Sequence, residues 1–367
     1  MVHRLLARLE QILGSPYAWS SIWATSALSL SIIPIFGLYY LSPLGRRSTL
    51  SPRQRAIPPR DERVLILGAS SGIGASIARA YAERGARVGI VGRRIGELER
   101  VAEEIKPLQR VVKAKAKDGG SRILCLQGDF GEVEDLVRIR ERVVLEWGGV
   151  DTLVIAAGVS TIQLLLALAG PGDRSNGGIN AAGSQGCGIP SAEGVQNVKD
   201  VAAKAMHGNF VGPVISCVTF IPTLEETSPS PAILLLSSVA SVIPAPTKTL
   251  YGATKAAAFT LFRSLAIEHP EIAFSSVLPA SVEGDFRSRA VDANTNTSTR
   301  ATESDQPLRK PEKKLGKDHV AHECVKAVDW GTRTMWLPRW YAWAHALYWI
   351  FPSVIERGAR KKYDFQA

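Results

Sequence analysis

Cysteine is scarce and scattered. Cys125, Cys187, Cys217 and Cys324 form no C-x-x-C pair and no metal-ligand spacing, so neither a disulfide framework nor a zinc site organises this chain. No metal is expected, and a reducing compartment fits. Basic runs interleaved with base-stacking aromatics are missing from the central region, so the net charge of +10 does not point to nucleic acid. Tryptophan is nearly absent from the middle: of eight, only Trp147 lies between Trp23 and Trp330. Because tryptophan favours the membrane–water boundary, both ends of the chain are membrane candidates.

Charge is absent from Gln11 to Gly45. Within that stretch, residues 17–41 exceed the ~20 apolar residues that a helix needs to cross a bilayer, and they are expected to form a transmembrane anchor. A cleaved signal peptide has a shorter apolar region of ~7 to 15 residues. Arg46, Arg47, Arg53, Arg55, Arg60 and Arg63 follow the anchor, against His3, Arg4 and Arg8 before it. The positive-inside bias therefore sets the remainder in the cytosol; a single-pass protein of the endoplasmic reticulum or lipid droplet is expected. In the inverted orientation Asn296 of "NTS" would be a glycosylation acceptor.

What is present, at 46% hydrophobic residues over 367, is enough for a full core. "RVLILGASSGIGASIARAYAERGARVGIVGRR" reads as strand, glycine turn, amphipathic helix and second strand, a βαβ opening. "RILCLQGD", "VDTLVIAAG", "AILLLSS" and "IAFSSVLPA" are further apolar strands separated by helical segments. Strands without polar alternation imply an α/β fold, one doubly wound parallel sheet of Rossmann type with helices on both faces. The expected organisation is an N-terminal segment (1–16), the anchor (17–41), a Pro/Arg-rich linker (42–62), a dinucleotide-binding domain (63–335) and an aromatic, basic tail (336–367). Within the domain, 170–194 and 288–318 are polar, Gly/Ser-rich or Thr/Lys-rich, and are expected to be disordered loops. The tail is apolar for only about a dozen residues, too few to span, so it lies at the interface, packs on the domain or makes a homodimer contact.

The turn "GASSGIG", with Gly68, Ser70, Ser71, Gly72, Ile73 and Gly74, sits between strand and helix, where glycines let a pyrophosphate approach the helix N-terminus. After the second strand comes no carboxylate but Arg93 and Arg94, which suit a ribose 2′-phosphate and so favour NADP(H) over NAD(H). Tyr251 and Lys255, four apart, share a helix face, where an ammonium is expected to lower the phenol pKa. Ser238, thirteen positions earlier at a strand end, is placed to bind the same substrate oxygen.

In this order the residues resemble the short-chain dehydrogenase/reductase family, from about Arg63 to Phe286. The resemblance implies Tyr251 as general acid, Lys255 as its pKa-lowering partner and ribose ligand, and Ser238 as the carbonyl-binding hydroxyl. It also implies Asn209 as the anchor of a relay water. Asp129 and Phe130, the Ala156–Ala157–Gly158 run, Pro279 and Val282 are implied to line the cofactor. "IAAG" and "PASVEG" depart from the family's usual Asn-Asn-Ala-Gly and Pro-Gly-x-Val-x-Thr. The expected function is a membrane-anchored, NADPH-dependent carbonyl reductase of a hydrophobic, lipid- or steroid-like substrate. The departures motivate an alternative, a catalytically silent NADP(H)-binding scaffold or redox sensor.

Overall fold

The computed structural model describes residues 50–111, 121–170, 189–293 and 314–363. The expected anchor at 17–41, the segment before it and Asn296 lie outside the described residues. Among the described residues no helix is long and apolar enough to cross a membrane.

Seven strands form one parallel sheet in the order β3-β2-β1-β4-β5-β6-β7. They are β1 (Arg63–Leu67), β2 (Arg87–Gly92), β3 (Ile123–Gln127), β4 (Thr152–Ile155), β5 (Ala232–Leu236), β6 (Ala273–Pro279) and β7 (Thr334–Leu337). Side chains alternate across a strand, so in β1 Val64 and Ile66 join one core layer while Leu65 and Leu67 join the other. The first layer is closed by α2 (Gly72–Glu83), α3 (Ile95–Val111) and α8 (Lys317–Asp329), through Ile77, Leu98 and Val320. The second is closed by α4 (Val133–Trp147), α6 (Gly212–Thr227) and α7 (Thr249–Glu268), through Leu136, Phe220 and Phe262. Burial on both faces explains why β4 and β5 read as unbroken apolar runs. The order in which strands are added reverses at β1 and β4, two parallel neighbours, which opens a crevice at their carboxyl ends.

Three boundaries differ from the sequence reading. The stretch expected as a linker to residue 62 enters the compact unit at Ser51. Ser51 caps α1 (Pro52–Ala56) in a reciprocal capping box with Gln54, and proline at the first helical position costs no hydrogen bond. Arg53 is then carried inward to 6% exposure. Next, β7 straddles the expected domain–tail boundary and pairs with β6 from Ser276–Thr334 to Pro279–Leu337. Finally, the expected loops are shorter where they are described. Ser191 caps α5 (Ala192–Met206), and Leu315 bridges Val282 just before α8.

The tail folds as α9 (Tyr341–Ile350) and α10 (Pro352–Lys362). Tyr341, Ala344 and Ile355 pack against Val239, Ile243, Phe259 and Leu278. Trp343, Trp349, Ile350 and Phe351 remain exposed.

Candidate active site

At the β1/β4 crevice the chain turns through Gly68 in the left-handed region (φ +89°), where a Cβ would fall 2.6 Å from the Ala157 backbone. A Cβ on Gly74 would fall 2.2 Å from the Gly68 carbonyl oxygen. Backbone therefore meets backbone, and the start of α2 is left open. Ser71, its N-cap, makes no side-chain hydrogen bond to the helix, so the first N–H groups of α2 are not capped by it. An open helix N-terminus behind glycines fits a dinucleotide pyrophosphate. The arginines after β2 diverge: Arg94 Nη2 donates to Ser70 Oγ (3.1 Å) and Ser71 Oγ (3.3 Å), whereas Arg93 pairs with Asp129 (3.5 Å).

A cavity of about 1210 Å³ runs from this turn to the tail helices. Every residue expected at the cofactor, and Ser238, Tyr251 and Lys255, lie on its wall. Asn209 does not. It sits in a single π-helical turn, His207–Val211, at 0% exposure. Its Oδ1 accepts from Val159 N (2.9 Å) and its Nδ2 donates to Val159 O (2.9 Å) and Thr254 Oγ1 (3.1 Å). The side chain braces the loop after β4 from behind rather than facing the cavity.

Tyr251 and Lys255 fall on the first turns of α7, and Ser238 caps a short 3-10 turn just past β5. The Lys255 ammonium, at 4% exposure, donates to the Leu236 carbonyl (3.1 Å). Burial pushes it down to about 8. The expected lowering of the phenol is not found: burial pushes Tyr251 up to about 12, against smaller opposing contributions from the Ser238 hydroxyl and Arg287. Spacing on a helix face brings the two side chains near each other, but it does not set how much water each loses.

Sequence reasoning missed a second lysine. Lys248 Nζ donates to Thr161 O (3.3 Å) and stands 5.7 Å from the Tyr251 ring centroid. Burial and Arg287 push it down to about 8, with Asp292 opposing. The residue before it, Thr247, is held at φ +61°, an unfavourable conformation for a β-branched side chain. Phe286, edge-on to Tyr251 at 6.1 Å between centroids, and Arg287 close the same side. No i,i+4 pattern announces these contacts, which come from loops.

Two depressed lysines make stability depend on pH. An unfolded lysine titrates near ~10.4, so between about pH 8 and that value the unfolded chain binds more protons and stability rises with pH. Above ~10 the raised Tyr251 phenol acts in the opposite sense. Urea unfolding of the cofactor-free protein should show a shallower rise from pH 8 to 9.5 in Lys255→Met than in wild type. An unchanged slope would remove Lys255 as the source.

Fold and site together define a dinucleotide-dependent α/β oxidoreductase. The short chain dehydrogenase family pattern matches residues 62–169 and 178–295, and the chain belongs to that family. It is 27% identical over 304 residues to 11-beta-hydroxysteroid dehydrogenase-like 3 of Arabidopsis thaliana, covering 80% of this chain and 79% of that one. It is 26% identical over 258 residues to a dehydrogenase/reductase SDR family protein 7-like of Dictyostelium discoideum, covering 70% and 69%. An alcohol dehydrogenase from the archaeon Thermococcus sibiricus, solved with 5-hydroxy-NADP, shares the fold at a TM-score of 0.54 and 23% identity. It covers 75% of this chain and 94% of that one.

Proposed function

We propose that this protein is a membrane-associated, NADP(H)-dependent oxidoreductase that reduces a carbonyl with NADPH, or oxidises the matching alcohol with NADP+, on a hydrophobic lipid- or steroid-sized substrate. The observation that carries the proposal is the far wall of the cavity, which is built from Trp340, Tyr341, Ala344, Val354 and Ile355 of the tail, the same tail that exposes Trp343, Trp349, Ile350 and Phe351 outward. An aromatic surface next to an apolar pocket mouth suits a substrate arriving from a lipid interface. The uncharged stretch at 17–41 supports a single-pass anchor, which we assign to the endoplasmic reticulum or lipid droplet, and the name of the Arabidopsis relative supports a steroid-like substrate. The exposed tail face also suits a second copy of the chain.

NADPH, when bound, supplies the hydride. The glycine turn and α2 N-terminus hold the diphosphate, and Arg94 with Ser70 and Ser71 suits the 2′-phosphate. Lys255 suits a ribose hydroxyl. Tyr251 holds the proton delivered to the developing alkoxide, and Ser238 hydrogen-bonds the same oxygen.

The test is NADPH oxidation by detergent-solubilised full-length protein against sterol ketones, lipid ketones, fatty aldehydes and small water-soluble ketones, with membrane fractionation alongside. Turnover should concentrate on the hydrophobic carbonyls, with the protein pelleting in the membrane fraction. Preference for small polar ketones would overturn the substrate reading. NADPH binding without oxidation of any carbonyl would favour the silent scaffold.

A further inference from the structure

Arg289 lies in the turns that follow β6, on the segment that carries Phe286 and Arg287 along the substrate side of the cavity. Its Nη1 nevertheless reaches the opposite end, donating to Ser71 Oγ at 3.3 Å across 218 positions of sequence. Arg94 Nη2 donates to the same oxygen at 3.3 Å. Two guanidiniums from unrelated parts of the chain thus converge on one neutral hydroxyl at the edge of the glycine turn. Glu97 feels both cations, yet its carboxyl is first engaged by Arg100 at 3.0 Å. Like charges held together this way repel, and a dianionic phosphate between them converts that repulsion into charge-assisted, forked hydrogen bonds.

The position of Arg289 is set by its neighbours and not by chance on a free loop. Asp292, at 0% exposure, accepts through Oδ2 from Ile162 N (2.8 Å) and Gln163 N (2.9 Å). Val291 N donates to Ser160 O (3.0 Å). These bonds fasten the segment to the loop leaving β4, which also bears Thr161, the partner of Tyr251 N and Lys248. At its other end Phe286 stands against the Tyr251 ring.

We propose that Arg289 joins Arg94 in the site for the ribose 2′-phosphate, supplied by the segment that walls the substrate pocket, so that recognition of the phosphorylated cofactor and placement of that wall share one piece of chain. The inference rests on NADP(H) being the cofactor. It differs from the sequence-level reading in its source: Arg93 and Arg94 follow a strand end, where a phosphate ligand is looked for, whereas Arg289 lies beyond the last central strand.

The test is fluorescence titration of the full-length protein in detergent with NADPH, NADH, 2′,5′-ADP and 5′-ADP, for wild type, Arg289→Gln, Arg289→Lys and Arg94→Gln. Arg289→Gln is expected to weaken NADPH and 2′,5′-ADP roughly tenfold, the scale of one lost charge-assisted contact, and to leave NADH and 5′-ADP unchanged. Arg289→Lys should fall between, since the charge is kept and the fork is lost. Because Arg289 is exposed, its replacement leaves the core intact, and an unchanged thermal melt without ligand checks this. Unaltered NADPH affinity in Arg289→Gln would overturn the assignment, as would an equal loss for NADPH and NADH. Wild type without preference for NADPH would instead overturn the cofactor reading, and the two failures are told apart by the wild-type titration alone.

Discussion

Replacing Tyr251 by Phe should lower turnover by roughly 10³-fold or more while NADPH binds within about twofold of wild type, the upper part of the range for loss of a general acid. The change removes one oxygen. Phe keeps the ring that meets Phe286 edge-on and underlies Lys248, and Tyr251 N still donates to Thr161 Oγ1 (3.1 Å), so the helix start is undisturbed. Burial holds the phenol up at about 12, so its proton is in place throughout the neutral range. That state suits donation to a carbonyl, the reductive direction. Oxidation of the alcohol asks the phenol to give up its proton first, which burial opposes. Single-turnover oxidation of NADPH in stopped flow, with binding by fluorescence, separates the chemistry from affinity. Retention of more than a tenth of wild-type turnover would remove Tyr251 from the proton-transfer step. The neighbouring Ser238 hydroxyl, which also accepts from Ala240 N (3.2 Å), cannot replace it, because an alcohol is far less acidic than a phenol.

A comparably large effect, on stability rather than catalysis, is expected at Arg53. Its guanidinium donates to the Ser230 and Asp151 carbonyls, to Thr152 Oγ1 (2.6 Å) and to Glu62 Oε1 (3.2 Å), tying α1 to the amino ends of β4 and β5. The side chains of Arg53 and Glu62 are 5% and 3% exposed. Arg53→Met takes this donor from the Ser230 carbonyl, leaves the Asp151 carbonyl with Ala232 N (3.0 Å), and leaves Glu62 with Arg84 (3.5 Å) and Thr152 Oγ1 (2.6 Å). Breaking one side of a buried ion pair costs ~3–5 kcal/mol, and the partners that remain to Glu62 place this variant at about 3. For a domain of this size the melting temperature should drop by roughly 5–10 °C. The double variant Arg53→Met/Glu62→Met should recover part of the loss, because no buried carboxylate is then left short of a partner. A melt unchanged in Arg53→Met would mean that 51–62 is a linker after all.

Much of the fold was legible because most strands announce themselves locally. β1, β2, β4, β5 and β6 are apolar runs bounded by glycine or polar residues, and an all-parallel sheet with helices between follows from that rhythm. β7 was not legible. "TMWL" is four residues next to a tryptophan-rich tail, and it becomes a strand because β6 offers an open edge to pair with. α1 was hidden for a similar reason. A segment dense in proline and arginine has the composition of a linker, and burial of Arg53 depends on acceptors supplied by Asp151, Thr152 and Ser230, far along the chain.

In the site the division follows the range of the interaction. Sequence alone determined the glycine turn, the pair of arginines after β2 and the Ser238–Tyr251–Lys255 set, because strand–turn–helix order and i,i+4 spacing are local properties that short stretches carry complete. Tertiary structure alone decided that Tyr251 is raised and Lys255 depressed, that Asn209 stands behind the cavity wall, that Lys248 stands beside the Tyr251 ring and that Arg289 meets Arg94 at Ser71. Desolvation and contacts across 218 residues are set by how layers close on one another, and no local pattern records them.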